Sequence, residues 1–278
     1  MRAEVSVIIP YYNDSVTIGR ALRSIEGQSL KPFEIIVIND ASHSVSLKIL
    51  EKLKRKYGDW VNIVNLPVNR GAASARNIGW DLATQPYIAF LDSDDAWHSR
   101  KVEIQYGYMK KNPDIVLSGH LYRELSKGKV GTLNWPVELK SVQKTSRVTL
   151  LLKNQFVTPS VMVKKDIPFR FSEGRRYMED HFLWLEILSE KTVVVKLNVE
   201  LAAVFKPMFG ASGLSSNMWL MEKSELSNYQ YLYRQKRLGL FQYAFLQCFS
   251  VAKFIRRLLV VYVVRRVGMK ITSFKNSI

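Results

Sequence analysis

Residues Tyr87–Trp97 read YIAFLDSDDAW, a short apolar run that is followed at once by three carboxylates. The apolar part is typical of a buried strand, because it is brief and rich in bulky side chains. Asp92, Asp94 and Asp95 then fill three of the next four positions. This much negative charge at the end of a buried strand predicts that a ligand or an ion binds there.

The pattern around this stretch predicts the fold of the first 120 residues. Short apolar runs alternate with helical patterns. A helix capped by Ser15 is predicted first, and further helices are predicted near 46–57, near 72–83 and from about 99. The strand-like runs lie at 5–10, 33–40, 61–65 and 87–91. Alternation at this spacing indicates a mostly parallel sheet covered by helices on both faces. We therefore predict an α/β fold, a mostly parallel sheet flanked by helices.

Polar residues follow three of these strands, where open α/β sheets bind ligands. They are Tyr11 to Asn13, Asn39 with Asp40, and Asp92 to Asp95. Each also has a structural alternative, since Asp40 could form a turn and Asp94 or Asp95 could cap a helix. No glycine-rich dinucleotide or triphosphate motif follows the first strand. Because carboxylates repel phosphate, Mg²⁺ or Mn²⁺ would have to bridge them to a nucleotide diphosphate.

Composition limits the class of protein. The chain has 278 residues, of which 47% are hydrophobic, as expected for a globular protein. Its formal charge of +17 predicts a polyanionic partner, which could be nucleic acid, an anionic membrane or a phosphorylated ligand. The single Cys248 excludes an internal disulfide and a cysteine metal cage. The first residues, MRAEVSVIIPYYN, do not resemble a signal peptide, so we expect a cytoplasmic protein.

The basic charge is concentrated near the C-terminus. No acidic residue follows Glu225, whereas ten Lys and Arg residues do. The uncharged run at 238–252 is shorter than the roughly 20 residues that cross a bilayer. Aromatic residues mixed with basic ones suggest an amphipathic helix on an anionic leaflet, which should bend or end within 258–264. A solvated basic helix packed on the preceding domain is the alternative. The basic residues of the proposed membrane face are Lys253, Arg256 and Arg257.

Several segments share an order and spacing with a known family. They read VSVIIPYYN, VINDAS, NRGAASARNIG, FLDSDD, TPSVMVKKDIPFRF, YMEDHFLWLEI and FKPMFGASGLS. In that order they resemble an inverting glycosyltransferase of family 2 with the GT-A fold, of the bacterial surface polysaccharide or O-antigen type. The resemblance covers about residues 5–216. It implies a GT-A domain at 1–217 and a basic helical tail at 218–278. The domain's nucleotide-binding half would be 1–119 and its acceptor half 120–217.

The resemblance implies a role for each matched residue. The catalytic base would be Asp180, with Glu179 beside it, although such a pair also favours a helix N-terminus and both roles can hold. Asp94 would be the principal ligand of Mn²⁺ or Mg²⁺, together with Asp92. An aromatic ring would stack on the base, and a carboxylate would accept its imide hydrogen. The nucleotide-binding residues would be Pro10, Tyr12, Asn13, Asp40, Asn69, Gly71, Arg76, Asp92, Ser93 and Lys206.

The sequence departs from the family near Lys206, where related enzymes often carry a basic Arg-x-His pair. Lysine contacts a diphosphate as a point charge and lacks the two-pronged geometry of arginine. Solvent and diphosphate oxygens are therefore expected to complete the cation's shell. His120 and His181 are expected to pack or to face the acceptor, and Trp184 could be an acceptor platform or a core residue.

The resemblance also implies partners. We expect a UDP-sugar donor, with GDP- or dTDP-sugars as alternatives. The expected acceptor is a polyprenyl-diphosphate-linked saccharide, which places the protein peripherally on the inner face of the cytoplasmic membrane. Nucleic acid is the alternative partner for a basic, aromatic-rich chain, but the acidic edge would repel it. An inactive relative that serves in assembly is a further alternative, against which the presence of Asp94 and Asp180 argues.

Overall fold

The computed structural model describes residues 1–125, 133–188, 192–205 and 217–267, with side chains up to residue 261. Lys206 and most of the segment FKPMFGASGLS lie outside the described residues. The chain divides into two compact units, residues 1–212 and 213–278. Among the described residues, the first unit contains a nine-stranded sheet and the second contains two long helices.

The strands of the sheet are β1 (Ala3–Tyr11), β2 (Pro32–Asn39), β3 (Val61–Asn65), β4 (Tyr87–Phe90), β5 (Ala96–Trp97), β6 (Ile115–Glu124), β7 (Val142–Lys144), β8 (Met162–Lys164) and β9 (Val193–Val204). Their order is β3-β2-β1-β4-β8-β6-β9-β5, and β7 pairs with β9. Strands β1 to β4 are mutually parallel, whereas β8 joins β4 and β6 in antiparallel orientation.

Six α-helices belong to the described part of the first unit and two to the second. Those of the first unit are α1 (Ile18–Glu26), α2 (Ser44–Tyr57), α3 (Gly71–Leu82), α4 (Lys101–Lys111), α5 (Arg147–Leu152) and α6 (Glu179–Ile187). Those of the second are α7 (Met218–Arg234) and α8 (Leu240–Val267). None of the helices in the described residues is long and apolar enough to cross a membrane.

Strand β1 is buried on both of its faces. Val7 and Ile9 belong to the core cluster that also contains the apolar residues of α1. Ile8 points to the opposite face, where α3 lies so close that a Cβ atom on Gly79 would fall 2.6 Å from Ile8 Cγ2. This close packing fixes the height of α3 above the sheet. The predicted fold class, a mostly parallel sheet flanked by helices, is confirmed.

Two local expectations were wrong. Ser15 does not cap α1, because the helix begins at Ile18 and Thr17 precedes it. Helix α8 does not end within 258–264, because it continues to Val267.

Candidate active site

The loops that follow β1 and β2 are tied together at the carboxyl edge of the sheet. Asn13 accepts the N–H of His43 at 2.8 Å through its side chain and donates its own N–H to Ser42 Oγ at 3.0 Å. Both loops turn through left-handed, non-glycine residues, with φ of 51° at Asn13 and 57° at Ala41. Tyr12 is 50% exposed beside them. Its ring is therefore accessible for stacking on a flat ligand.

Asp40 joins the end of β2 to the start of α3. Its side chain is buried, and its two carboxylate oxygens accept the N–H groups of Arg70 at 2.7 Å and Gly71 at 2.8 Å. Gly71 has φ of +85°, a conformation that glycine adopts without strain. Asn69 Nδ2 donates to the Asp40 carbonyl at 3.1 Å. Asp40 thus holds the NRG segment against the sheet, while its contact with a nucleotide base stays a prediction.

Arg76 bridges the loop after β4 and the start of α6. Its guanidinium donates to Asp92 Oδ1 at 2.7 Å and to Glu179 Oε1 at 3.1 Å, and its side chain is only 5% exposed. The Phe171 ring centroid lies 5.2 Å from the guanidinium carbon. One buried cation therefore brings a carboxylate of the loop after β4 and a carboxylate of α6 into one site.

The DSDD loop is held from the side of α1. Ser93 Oγ donates to Asp14 Oδ2 at 2.8 Å, and Thr17 Oγ1 donates to the Ser93 carbonyl at 2.8 Å. The Arg20 guanidinium donates to the Asp94 carbonyl and lies 3.5 Å from the centre of the Phe205 ring. Asp14, Thr17 and Arg20 were not predicted as site residues. Asp and Thr are both common at helix starts, which conceals the role of Asp14 and Thr17 in the loop.

Asp95 differs from its two neighbours in the DSDD loop. It is 5% exposed, and its Oδ1 accepts the N–H of Phe205 at 3.3 Å. This contact ties the loop to the end of β9. Asp95 therefore has a structural position, whereas Asp92 and Asp94 are both partly exposed.

Asp92 and Asp94 offer the kind of oxygen ligands that Mg²⁺ and Mn²⁺ prefer. In the described part of the chain, no group of three His, Cys, Asp or Glu residues could hold a metal ion. Mg²⁺ nevertheless needs only one or two carboxylates when substrate phosphates complete its shell. The donor set therefore fits a cation shared with a diphosphate, with Asp92 also engaged by Arg76.

Asp180 lies in the first turn of α6. Met178, two residues before it, has a left-handed backbone with φ of 55° and turns the chain into the helix. Asp180 Oδ1 accepts the His181 N–H at 2.6 Å, and Oδ2 lies 3.4 Å from Asn154 Nδ2. Asn154 was not predicted, and Thr158, whose Oγ1 lies 3.5 Å from Asp180 Oδ2, was only part of a matched segment.

Burial controls the acidity of this carboxyl pair. Burial raises the pKa of Asp180, although the His181 N–H and the Arg76 charge oppose that shift. Burial also raises the pKa of Glu179 to about 7, against the Arg76 charge and reinforced by the charge of Asp180. Carboxyl groups with raised pKa values accept a proton from a hydroxyl more readily than ordinary ones do.

His120, His181 and Trp184 are core residues. His181 Nε2 donates to the Leu150 carbonyl at 2.8 Å, and His120 Nδ1 donates to the Leu121 carbonyl at 2.7 Å. Both histidines are buried, and burial followed by the charge of Lys101 lowers the pKa of His120 to about 3. Trp184 is 1% exposed. Of the two roles considered for Trp184, the structure selects the core.

The chain is similar in sequence to known proteins. The model of the family described as glycosyl transferase family 2 matches residues 6–174. The UDP-Glc:alpha-D-GlcNAc-diphosphoundecaprenol beta-1,3-glucosyltransferase WfgD of Escherichia coli is 30% identical over 190 residues, which are 68% of this chain and 71% of that protein. The amylovoran biosynthesis glycosyltransferase AmsE of Erwinia amylovora is 30% identical over 245 residues, 84% of this chain and 87% of that protein.

Solved structures share the fold at lower identity. Staphylococcus aureus TarS 1–349 in complex with UDP-GlcNAc superposes with a TM-score of 0.66 at 17% identity, covering 92% of this chain and 72% of that one. The mannosyltransferase PcManGT of Pyrobaculum calidifontis, solved with GDP-Man and Mn²⁺, gives a TM-score of 0.59 at 15% identity, and the match covers 91% of this chain and 74% of that one. These two likenesses concern the fold alone.

Proposed function

Because the chain belongs to glycosyl transferase family 2, we propose that it moves a sugar from a nucleotide diphosphate to a saccharide hydroxyl with inversion at the anomeric carbon. The observation that carries this proposal is the Arg76 bridge. It places Asp92, on the donor-side loop, and Glu179, next to Asp180, on either side of one buried guanidinium. The donor carboxylates and the candidate base thus belong to one site.

In the proposed reaction, Asp180 removes the proton of the acceptor hydroxyl. The acceptor oxygen forms a bond to the anomeric carbon as the bond from that carbon to the diphosphate oxygen breaks, so the nucleoside diphosphate leaves. A single displacement of this kind inverts the anomeric centre. The His181 N–H and the Arg76 guanidinium stabilise the charged form of Asp180 before the transfer.

The donor side is proposed from chemistry that the residues offer. Asp94 with Asp92 would hold Mn²⁺ or Mg²⁺, which supplies positive charge for the leaving diphosphate. Tyr12 and Asp40 would contact the nucleoside, supported by Asn13, Asn69 and the half-buried Pro10. Lys206 stays a predicted diphosphate contact.

The relatives guide the choice of substrates. The name of WfgD specifies UDP-glucose and a diphosphoundecaprenol-linked acceptor. On that basis we propose a UDP-sugar donor and a polyprenyl-diphosphate-linked saccharide acceptor for this chain, in surface polysaccharide synthesis of the O-antigen type. Such an acceptor would place the protein peripherally at the inner face of the cytoplasmic membrane.

A donor screen tests the proposal. Thermal unfolding would be followed with UDP-, GDP- and dTDP-sugars, each with and without Mn²⁺. A UDP-sugar should raise the unfolding temperature in the presence of Mn²⁺, because a ligand that binds only the folded state stabilises it. The stabilising sugar would then be supplied with lipid-linked acceptors, and the anomeric configuration of the product would be determined by NMR. Stabilisation by no nucleotide-sugar, or a product with retained configuration, would refute the proposal.

A further inference from the structure

Helix α8 carries an exposed apolar face. All of residues 241–260 are described, and the polar residues among their exposed positions are Gln242 and Arg256. Phe241 is 90% exposed and Phe245 is 60% exposed. A helix on a soluble protein normally presents the reverse pattern, with polar residues outward. The outer face of α8 consists of Phe241, Ala244, Phe245, Cys248, Val251, Ala252, Ile255, Leu258, Leu259 and Val260.

The opposite face of α8 makes polar contacts with α7. Lys253 Nζ lies 2.7 Å from Glu225 Oε1, and Arg257 Nη2 lies 3.8 Å from Glu225 Oε2. Ser250 Oγ donates to Glu222 Oε1 at 2.8 Å. Lys253 and Arg257 were expected to face an anionic leaflet, and for these two residues that expectation is wrong because Glu225 pairs with them. The apolar outer face, rather than these charges, is what α8 offers to a partner.

The charges around the outer face indicate which partner fits. Arg234 is exposed at the end of α7, Lys236 and Arg237 are exposed in the turn before α8, and Arg256 is exposed midway along α8. Since no acidic residue follows Glu225, the outer faces of two copies would bring like charges together, which is unfavourable. An anionic lipid surface provides both hydrocarbon for the phenylalanines and negative charge for the basic residues.

We propose that the outer face of α8 docks on an anionic lipid bilayer by inserting Phe241, Phe245 and the aliphatic residues that continue their stripe. The helix would lie in the plane of the interface, with Arg234, Lys236 and Arg237 near the lipid headgroups. This inference rests on the proposed function only for its purpose, which is to bring the enzyme to a lipid-linked acceptor. Docking itself requires no acceptor and no sugar transfer.

Binding of the full chain to vesicles tests this proposal. The vesicles would contain phosphatidylcholine and phosphatidylglycerol without any acceptor, and binding would be measured by flotation. Phe241→Ser combined with Phe245→Ser should lower vesicle affinity at least about tenfold, because two apolar side chains no longer leave water. Phe33→Ser is the matched control, since Phe33 is 49% exposed at the start of β2, in the other unit. This control should bind vesicles like the parent, and circular dichroism would verify the fold of both variants.

Salt and competing partners decide between the remaining outcomes. Raising the salt concentration should weaken binding only in part, because screening acts on charge and not on apolar burial. Equal vesicle binding by the parent and the double variant would overturn the proposal. So would a parent that dimerises through this face, or binds oligonucleotides, without binding vesicles. Turnover of a soluble acceptor should be the same in parent and double variant, so absence of turnover in both would count against the proposed function and not against docking.

Discussion

At the scale of single residues, Asp180 is the proposed catalytic base. We expect Asp180→Asn to lower kcat by at least about 100-fold, the contribution typical of a general base, while the donor Kd stays unchanged. Initial rates and calorimetry would measure the two quantities. Glu173→Gln is the control, because Glu173 is an exposed carboxylate upstream of the same helix. Turnover retained by Asp180→Asn would move the base to another residue.

Glu179 affects the pH dependence of the same step. The pKa of Glu179 is raised to about 7, and the charge of Asp180 contributes to that shift. The interaction is mutual, so ionised Glu179 also opposes ionisation of Asp180. Activity should therefore rise with pH as Asp180 ionises, and Glu179→Gln should move that rise to lower pH. A pH–rate profile of kcat/KM checks this, and an unchanged profile would show that the two carboxyl groups act independently.

Burial of Glu179 also affects stability. A folded-state pKa above the ordinary value of 4.5 means that the folded protein binds more protons than the unfolded chain between about pH 4.5 and 7. The contribution of Glu179 to the free energy of unfolding is thus full below that interval and decreases as pH rises through it. This contribution should be absent in Glu179→Gln.

Asp94 is the residue that we propose as the principal metal ligand. In Asp94→Ala, affinity for UDP in the presence of Mn²⁺ should fall by at least about tenfold, which corresponds to about 1.4 kcal/mol. The reason is that the cation would lose its principal protein ligand. Titration calorimetry with and without Mn²⁺ measures the effect, and Asp59→Ala, at a fully exposed carboxylate, is the control. Metal-dependent affinity equal to that of the parent would remove Asp94 from the metal site.

At the scale of secondary-structure elements, Arg76 joins α3, the loop after β4 and α6. Arg76→Met would leave Asp92 and Glu179 without their buried partner, so we expect the free energy of unfolding to fall by roughly 3 kcal/mol. Urea denaturation measures this loss. Arg70→Met is the matched control, because the Arg70–Glu173 pair at 3.1 Å is half-exposed and such pairs contribute at most about 1 kcal/mol. Similar losses in both variants would contradict a structural role for the bridge.

The elements differ in how far the sequence predicts them. Strands β1 to β4 and helices α1 to α4 were predicted because each has a clear apolar period and a polar end. The bridge from Arg76 to Glu179 was not, since it joins residues 103 positions apart and depends on the packing of three elements. The short strands β5, β7 and β8 have too few residues for a period. The side of α8 that faces outward is determined by Glu222 and Glu225 of α7, which contact Ser250 and Lys253 on its inner side. Composition does not show these contacts, so Lys253 was wrongly assigned to the membrane face.

At the scale of the whole molecule, the unit boundary indicates where the chain can be shortened. A chain ending at Ser212 should keep UDP affinity and turnover of a soluble acceptor, because the predicted site residues precede residue 213. A chain ending at Gln235 should be less stable and self-associate, because α7 would lose the partners of Glu222 and Glu225 on α8. Sedimentation and donor calorimetry compare the two. Loss of donor affinity in the shorter chain would show that the first unit depends on the second unit.

The outward-facing apolar residues of α8 have a consequence for synthesis on the ribosome. Domains generally fold in order as they emerge during translation. The residues of the first unit emerge before α8, so the sheet can close before the apolar outer face is available to compete for its strands. Helix α7 also precedes α8, and Glu222 and Glu225 are therefore already present when Ser250 and Lys253 appear. The apolar outer face of α8 is therefore exposed only after the first unit has been made.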